Sequence, residues 1–151
     1  MESISEPIVA LFERDLKKLR EEILFYKNEK ELWMVQKEIK NSAGNLALHL
    51  VGSLNFFIGA TLGNTGYTRH RDNEFSDKNV PADKIIASIE ELLILIKNTV
   101  GEIEDKKMTE LYPIEFLGKR RTNLEILFIM YGHLNYHLGQ INYHRRLTAS
   151  I

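Results

Sequence analysis

Thr122-Asn123-Leu124-Glu125-Ile126-Leu127-Phe128-Ile129-Met130-Tyr131-Gly132-His133-Leu134-Asn135-Tyr136-His137-Leu138 begins as a helix start and continues as a stretch apolar on most of its sides. Thr122 followed by Glu125 is a capping box, in which each side chain bonds the other's backbone amide. A helix this apolar is expected to be embedded between neighbours, running to roughly Arg146.

Such a helix needs partners, and three further stripes supply them. Val9, Phe12, Leu16, Leu19, Ile23 and Tyr26 recur at steps of three and four, behind Ser5 as cap and Pro7 in the first turn. The charged segment Asn28 to Lys40 reads as a helix end and a connection that tucks Trp33 inward. A second helix is expected from Ser42 through Leu46, Leu50, Leu54 and Ile58 to Gly59 and Gly63. After a glycine-rich, then charged loop to Asn79, Pro81 precedes the clearest stripe: Ile85, Ile89, Leu92, Ile96, Val100 and Ile103. Four amphipathic helices with few strand signals predict an all-α chain, an antiparallel four-helix bundle in a single domain over 1–151.

Composition narrows the function. With 151 residues, 44% hydrophobic and 27% charged, the chain suffices for one core and not for two domains. A net charge of −1 argues against nucleic-acid binding, and Lys119-Arg120-Arg121 and Arg145-Arg146 read as solvated surface. No stretch reaches the roughly 20 apolar residues of a membrane span, and Met1 to Arg20 lacks a secretory apolar core. A soluble, cytoplasmic protein is the expectation. The chain has no cysteine, so thiolate ligands and cysteine nucleophiles are excluded.

Chemistry then falls to histidine. His133 and His137 are four residues apart and share one helix face. Burial favours neutral imidazole, the form a metal ion needs; the alternative is a pair of core histidines satisfied by carbonyls or by Tyr131 and Tyr136. His49 also lies in an apolar helix, with Asn45, Gly52 and Ser53 on its face leaving space beside it. Facing helices bring ligands together in a bundle core, so His49 can meet the pair, as a metal site or as a hydrogen-bonded cluster. Gln140, one turn from His137, suits either a hydrogen bond to a ligand imidazole or plain packing. His144, beside two arginines, and His70, in the charged loop, read as surface residues.

These neighbourhoods resemble a known family. Ser42-Ala43-Gly44-Asn45-Leu46-Ala47-Leu48-His49-Leu50, together with His133 to Gln140 and the following Ile141-Asn142-Tyr143, is similar to the DinB/YfiT-like superfamily of metalloenzymes, four-helix bundles with a histidine triad. The resemblance implies that His49, His133 and His137 hold a divalent metal, Zn²⁺, Ni²⁺ or Mn²⁺, and no spacing supplies a carboxylate ligand. It also implies a homodimer, and a transferase activity that uses a small cellular thiol as cosubstrate on a small-molecule substrate. The loop Tyr67 to Phe75 resembles a charged segment of one branch, in which Arg69 or Arg71 would meet an anionic substrate. A metal-dependent hydrolase and a non-catalytic metal-binding bundle are the alternatives.

Overall fold

The structure is a computed structural model describing residues 3–149. In chain order the helices are α1 (Ser5–Leu24), α2 (Glu29–Leu32), α3 (Ala43–Leu54), a π-helical turn (Asn55–Ala60), α4 (Thr61–Gly63), α5 (Arg71–Ser76), α6 (Ala82–Gly101), α7 (Asp105–Met108) and α8 (Asn123–Thr148). No strand occurs among the described residues, only the isolated bridges Leu111–Thr122 and Phe116–Lys119. The chain is all-α.

The start signals act mostly as the sequence indicates. Ser42 Oγ accepts the amide of Asn45 at the head of α3, and Thr122 with Glu125 closes a full capping box on α8, each such cap stabilising by about 1 kcal/mol. Ser5 differs, because α1 already includes it. The exposed Ile4 amide donates to Asp105 Oδ1 at 2.9 Å, at the start of α7. Trp33 turns inward as expected, lying so close over Gly44 that a β-carbon there would overlap its ring.

The buried stripes are Phe12, Leu16, Leu19 and Ile23 on α1, Leu46, Leu50 and Leu54 on α3, Ile85, Ile89, Leu92, Ile96 and Val100 on α6, and Ile126, Leu127, Met130, Leu134 and Ile141 on α8. Polar contacts give the directions. Ser5 reaches the carbonyl of Gly101 and Arg20 reaches Glu90, so α1 and α6 run antiparallel. His49 meets His133 and Ser53 meets Met130, so α3 and α8 do too. By contrast, α1 runs parallel to α8, through Asp15–Tyr131, Glu22–Asn142 and Tyr26–His144. The π turn and α4 continue α3 alongside α6, with Gly59 and Gly63 against Leu95 and Thr99. The long connection between α4 and α6 returns the chain along the molecule, so that α6 runs parallel to α3, whereas the connection between α6 and α8 stays at one end, where Asn123 bonds Lys107 and Glu110.

Three expectations need correcting. First, α8 is not embedded on all sides: α1 and α3 cover two of its faces, and Phe128 and Tyr136 remain 56% and 65% exposed. Second, the loop before Asn79 contains α5, which carries no apolar stripe for a periodicity to detect. Third, Ala43–Gly63 is a 21-residue helical stretch that by length and composition is apolar enough to cross a membrane. Half of that window is buried within the protein, and its inward face carries Asn45, His49 and Ser53, as befits a core helix.

Asp15 is one polar tie between α1 and α8: it is buried, bonded by Arg14 of its own helix at 2.8 Å and by the Tyr131 hydroxyl at 2.6 Å. Burial alone would raise its pKa, but the hydrogen bonds from Arg14, Tyr131 and Asn135 outweigh that and hold the carboxyl at about 2. The folded pKa lies below the unfolded value of about 3.9, so this contribution is complete above roughly pH 4 and disappears as pH falls toward 2. Asp15→Asn is expected to lower neutral-pH stability by on the order of 1–3 kcal/mol and to flatten the loss of stability between about pH 4 and pH 2. Urea melts at several pH values check both effects; an unchanged acid slope would refute the assignment.

Candidate metal centre

Asn45 comes first, because it brings α5 and Glu74 to the site. It faces inward on the first turn of α3 and is fully buried. Its amide nitrogen donates to the carbonyls of Glu74 and Asp77 at 2.9 and 2.8 Å, while its oxygen accepts from Ser42 and Lys78 at 2.8 and 2.6 Å. The three bonds to Glu74, Asp77 and Lys78 clamp α5 onto α3, where no apolar stripe could. One consequence is that the Glu74 side chain enters the core beside Gly52, and a β-carbon at 52 would overlap its carboxylate.

Glu74 is almost fully buried and fully partnered. Arg69 engages both oxygens, Nε to Oε2 at 2.9 Å and a terminal nitrogen to Oε1 at 2.8 Å, and His49 Nδ1 donates to Oε1 at 3.0 Å. Burial would raise its pKa; the bonds from Arg69 and His49, together with the charge of Arg69, hold it below the ordinary carboxylate value. A charged carboxylate thus fixes the hydrogen of His49 on Nδ1 and leaves Nε2 as a bare lone pair.

The other two imidazoles are arranged alike. His137 Nδ1 is 2.7 Å from Gln140 Oε1, an acceptor, so the hydrogen is on Nδ1 and Nε2 is free. His133 Nδ1 faces the Ser53 hydroxyl at 3.5 Å, and that hydroxyl in turn points at Met130 Sδ. One ring nitrogen from each of His49, His133 and His137 lies within 4.8 Å of the others, and the Nε2 atoms of His49 and His133 are 3.0 Å apart. With His49 Nε2 bare, His133 either donates an Nε2–H to it or, with its hydrogen on Nδ1 toward Ser53, faces it with a second lone pair that a cation would bridge. A second proton that would make the pair cationic is disfavoured, since burial first and the neighbouring imidazoles second push His133 down to about 4, and burial also lowers His137. Around a tetrahedral ion with nitrogens at about 2.0–2.1 Å, neighbouring ligand nitrogens sit roughly 3.3 Å apart. Three ring nitrogens within 4.8 Å of one another could hold one divalent ion once the widest spacing closes toward the tetrahedral value.

Among the described residues no carboxylate joins the three histidines. Glu74 and Gln140 stand behind their imidazoles and orient them. Cavities of ≈380 Å³ and ≈510 Å³ adjoin the triad, one lined by His49 and His133 and the other by His137.

The residues singled out in the sequence have mixed fates. Arg69 is committed to Glu74, with its guanidinium 3.4 Å from His49 Nδ1, so it is an internal ion pair rather than a free rim residue. Arg71 lies at the wall of the smaller cavity, over the Phe75 ring. His70 is exposed. His144 is not a surface residue: it is buried on the helix face it shares with Ile141 and Thr148, with Nδ1 2.7 Å from the Tyr26 hydroxyl and Nε2 2.8 Å from the Met34 carbonyl, while Arg145 turns to Glu22. Asn45 and Glu74 were not identified as site residues. The cluster of small and polar residues around His49 signalled a space, but its occupant lies 25 residues further on, in a segment without periodicity.

Comparison with known proteins agrees with this architecture. A family profile described as "Protein of unknown function (DUF1572)" matches residues 6–150. A DinB-like protein from Bacillus cereus superposes with a TM-score of 0.75 at 18% identity, covering 98% of this chain and 94% of its own. A conserved protein from Enterococcus faecalis superposes at 0.78 with 14% identity, covering 100% of both chains. At these identities the likeness establishes the fold, which is DinB-like as the sequence resemblance implied. No curated protein matches the sequence.

Removing the carboxylate behind His49 should loosen the site without unfolding it. Glu74→Gln, which can present an amide N–H to Nδ1, and Gly52→Ala, which displaces the carboxylate, are each expected to weaken Zn²⁺ binding about 10- to 100-fold in chelator competition. Parent-like affinity in both folded variants would show that Glu74 does not orient His49.

Proposed function

We propose that this chain, which belongs to the DUF1572 family of proteins of unknown function and has the DinB-like fold, is a divalent-metal-dependent enzyme whose metal is held by His49, His133 and His137. The observation that supports it most directly is the convergence of three ring nitrogens whose opposite nitrogens face hydrogen-bond partners. The long helices α1, α3, α6 and α8 serve as one four-helix bundle, with the antiparallel pair α3 and α8 carrying the ligands.

Three neutral imidazoles leave an ion its full charge and at least one open position, as catalytic rather than structural zinc sites do. A metal held there supplies Lewis acidity that favours the deprotonated form of a thiol or of water at neutral pH. The chain's own residues do the rest. Glu74 and Gln140 hold two ligand rings in the tautomer that presents a lone pair, Ser53 steadies the third, and the flanking cavities admit small molecules. We take the reaction to be transfer of a small cellular thiol to an electrophile, a choice that fits a chain with no thiol of its own. The same reading makes the protein a cytoplasmic homodimer acting without nucleic acid or membrane. Sedimentation showing only monomer at micromolar concentration contradicts the dimer.

The test is metal analysis of tag-free protein beside folded His49→Ala and His133→Ala variants, followed by turnover of 1-chloro-2,4-dinitrobenzene with and without an added thiol. Near-stoichiometric divalent metal in the parent, lost in both variants, with turnover requiring metal and thiol together, is the expected result. Turnover without thiol would replace transfer by hydrolysis, and a protein that binds no metal even on reconstitution would overturn the enzyme reading.

A further inference from the structure

The two cavities beside the triad share no lining residue and differ in chemistry. They lie at opposite ends of the groove between α3 and α8. One, of ≈380 Å³, reaches His49 and His133 from the π-turn end, between Phe57, Phe116, Ile129 and Met130. Phe116 packs edge-on against Phe57 at 5.2 Å, which fixes one apolar wall. The other, of ≈510 Å³, reaches His137 from the opposite end; Leu46 and Leu147 form part of its wall, and Glu38, Lys40, Asn41 and Gln140 supply polar groups of both charges.

Charge at the first cavity is unbalanced in a specific way. Of its two arginines, Arg69 is neutralised by Glu74. Arg71 makes no ion pair among the described residues, and its guanidinium rests over the Phe75 ring at 5.2 Å. No acidic side chain lines this cavity. Apolar walls with one uncompensated guanidinium complement a ligand with an apolar body and a single anionic group, since guanidinium binds carboxylates in a planar, bidentate fork.

We propose that the Arg71 cavity is the subsite for the electrophile and that this substrate is an apolar organic anion, its carboxylate on Arg71 and its apolar body directed toward His133. The Gln140 cleft is then left to the thiol cosubstrate, so that the two ligands approach the triad from opposite ends and are bound together. This assignment rests on the transferase reading above, but the cavity's preference for an apolar anion is measurable without turnover.

The experiment is isothermal titration of naphthalene-2-carboxylate, its neutral analogue 2-naphthalenemethanol, and glutathione, into the full chain with and without bound Zn²⁺. Arg71→Gln should weaken naphthalene-2-carboxylate about tenfold, the scale of one charge-assisted hydrogen bond, and leave 2-naphthalenemethanol unchanged. Ile129→Trp, which fills the cavity, should weaken both. Neither variant should alter Zn²⁺ content or glutathione affinity, and glutathione should bind without displacing the carboxylate. The proposal is overturned if Arg71→Gln leaves carboxylate binding intact, if Lys40→Glu weakens it instead, or if glutathione and the carboxylate exclude each other. Arg71-dependent binding in a protein that takes up no metal would sink the enzyme reading while leaving the anion subsite standing.

Discussion

A carboxylate seated in the core, at a position where α3 has no side chain, is the constraint around which the site is built. Glu74 occupies the space over Gly52, and its charge is tolerated there because Arg69 and His49 supply three hydrogen bonds to it. A buried carboxylate without such partners would be protonated or expelled, so the three groups stand or fall together. Asn45 brings Glu74 there by bonding two carbonyls at the end of α5. The imidazole of His49 inherits its tautomer from this arrangement and turns its free nitrogen toward His133.

The same arrangement explains why a polar seam can run through an apolar core. Ser53, Asn45 and His49 line one face of α3, and each has a partner that satisfies it. Around them Leu46, Leu50, Met130 and Leu134 exclude water, which strengthens the hydrogen bonds and keeps His133 neutral. Above the triad the helix widens into a π turn, with the Phe57 carbonyl bonded by the Tyr112 hydroxyl and the Phe56 carbonyl by Thr61. Such turns recur at functional sites because they displace one residue from the regular helical register. Here the displaced stretch carries Phe57, a cavity wall.

The long helices and the triad were legible in the sequence because both are written in periodicity. Ile85 to Val100 repeats at helical steps, Thr122 and Glu125 mark the start of α8, and His133 and His137 are separated by one turn. What lies outside the helical repeat was not legible. Glu74 and Arg69 sit in a charged segment whose spacing resembles any solvated loop, and only the contact across to Gly52 distinguishes them. His144 was misread because its sequence neighbours are arginines, whereas the side chain's fate is set by the face it shares with Ile141 and Thr148, both buried. Helix directions were beyond reach for a related reason: stripes show which face is buried, and not whether a long connection returns the chain parallel or antiparallel.

The central claim is that three imidazoles hold the ion, with Glu74 behind them rather than on the metal. X-ray absorption at the metal edge of Zn²⁺-loaded protein tests it most directly. The account predicts three imidazole nitrogens at about 2.0–2.1 Å, with their outer-ring scattering, and one or two lighter exchangeable ligands. A shell with fewer than three imidazoles, or one in which a carboxylate oxygen replaces a nitrogen, would contradict it.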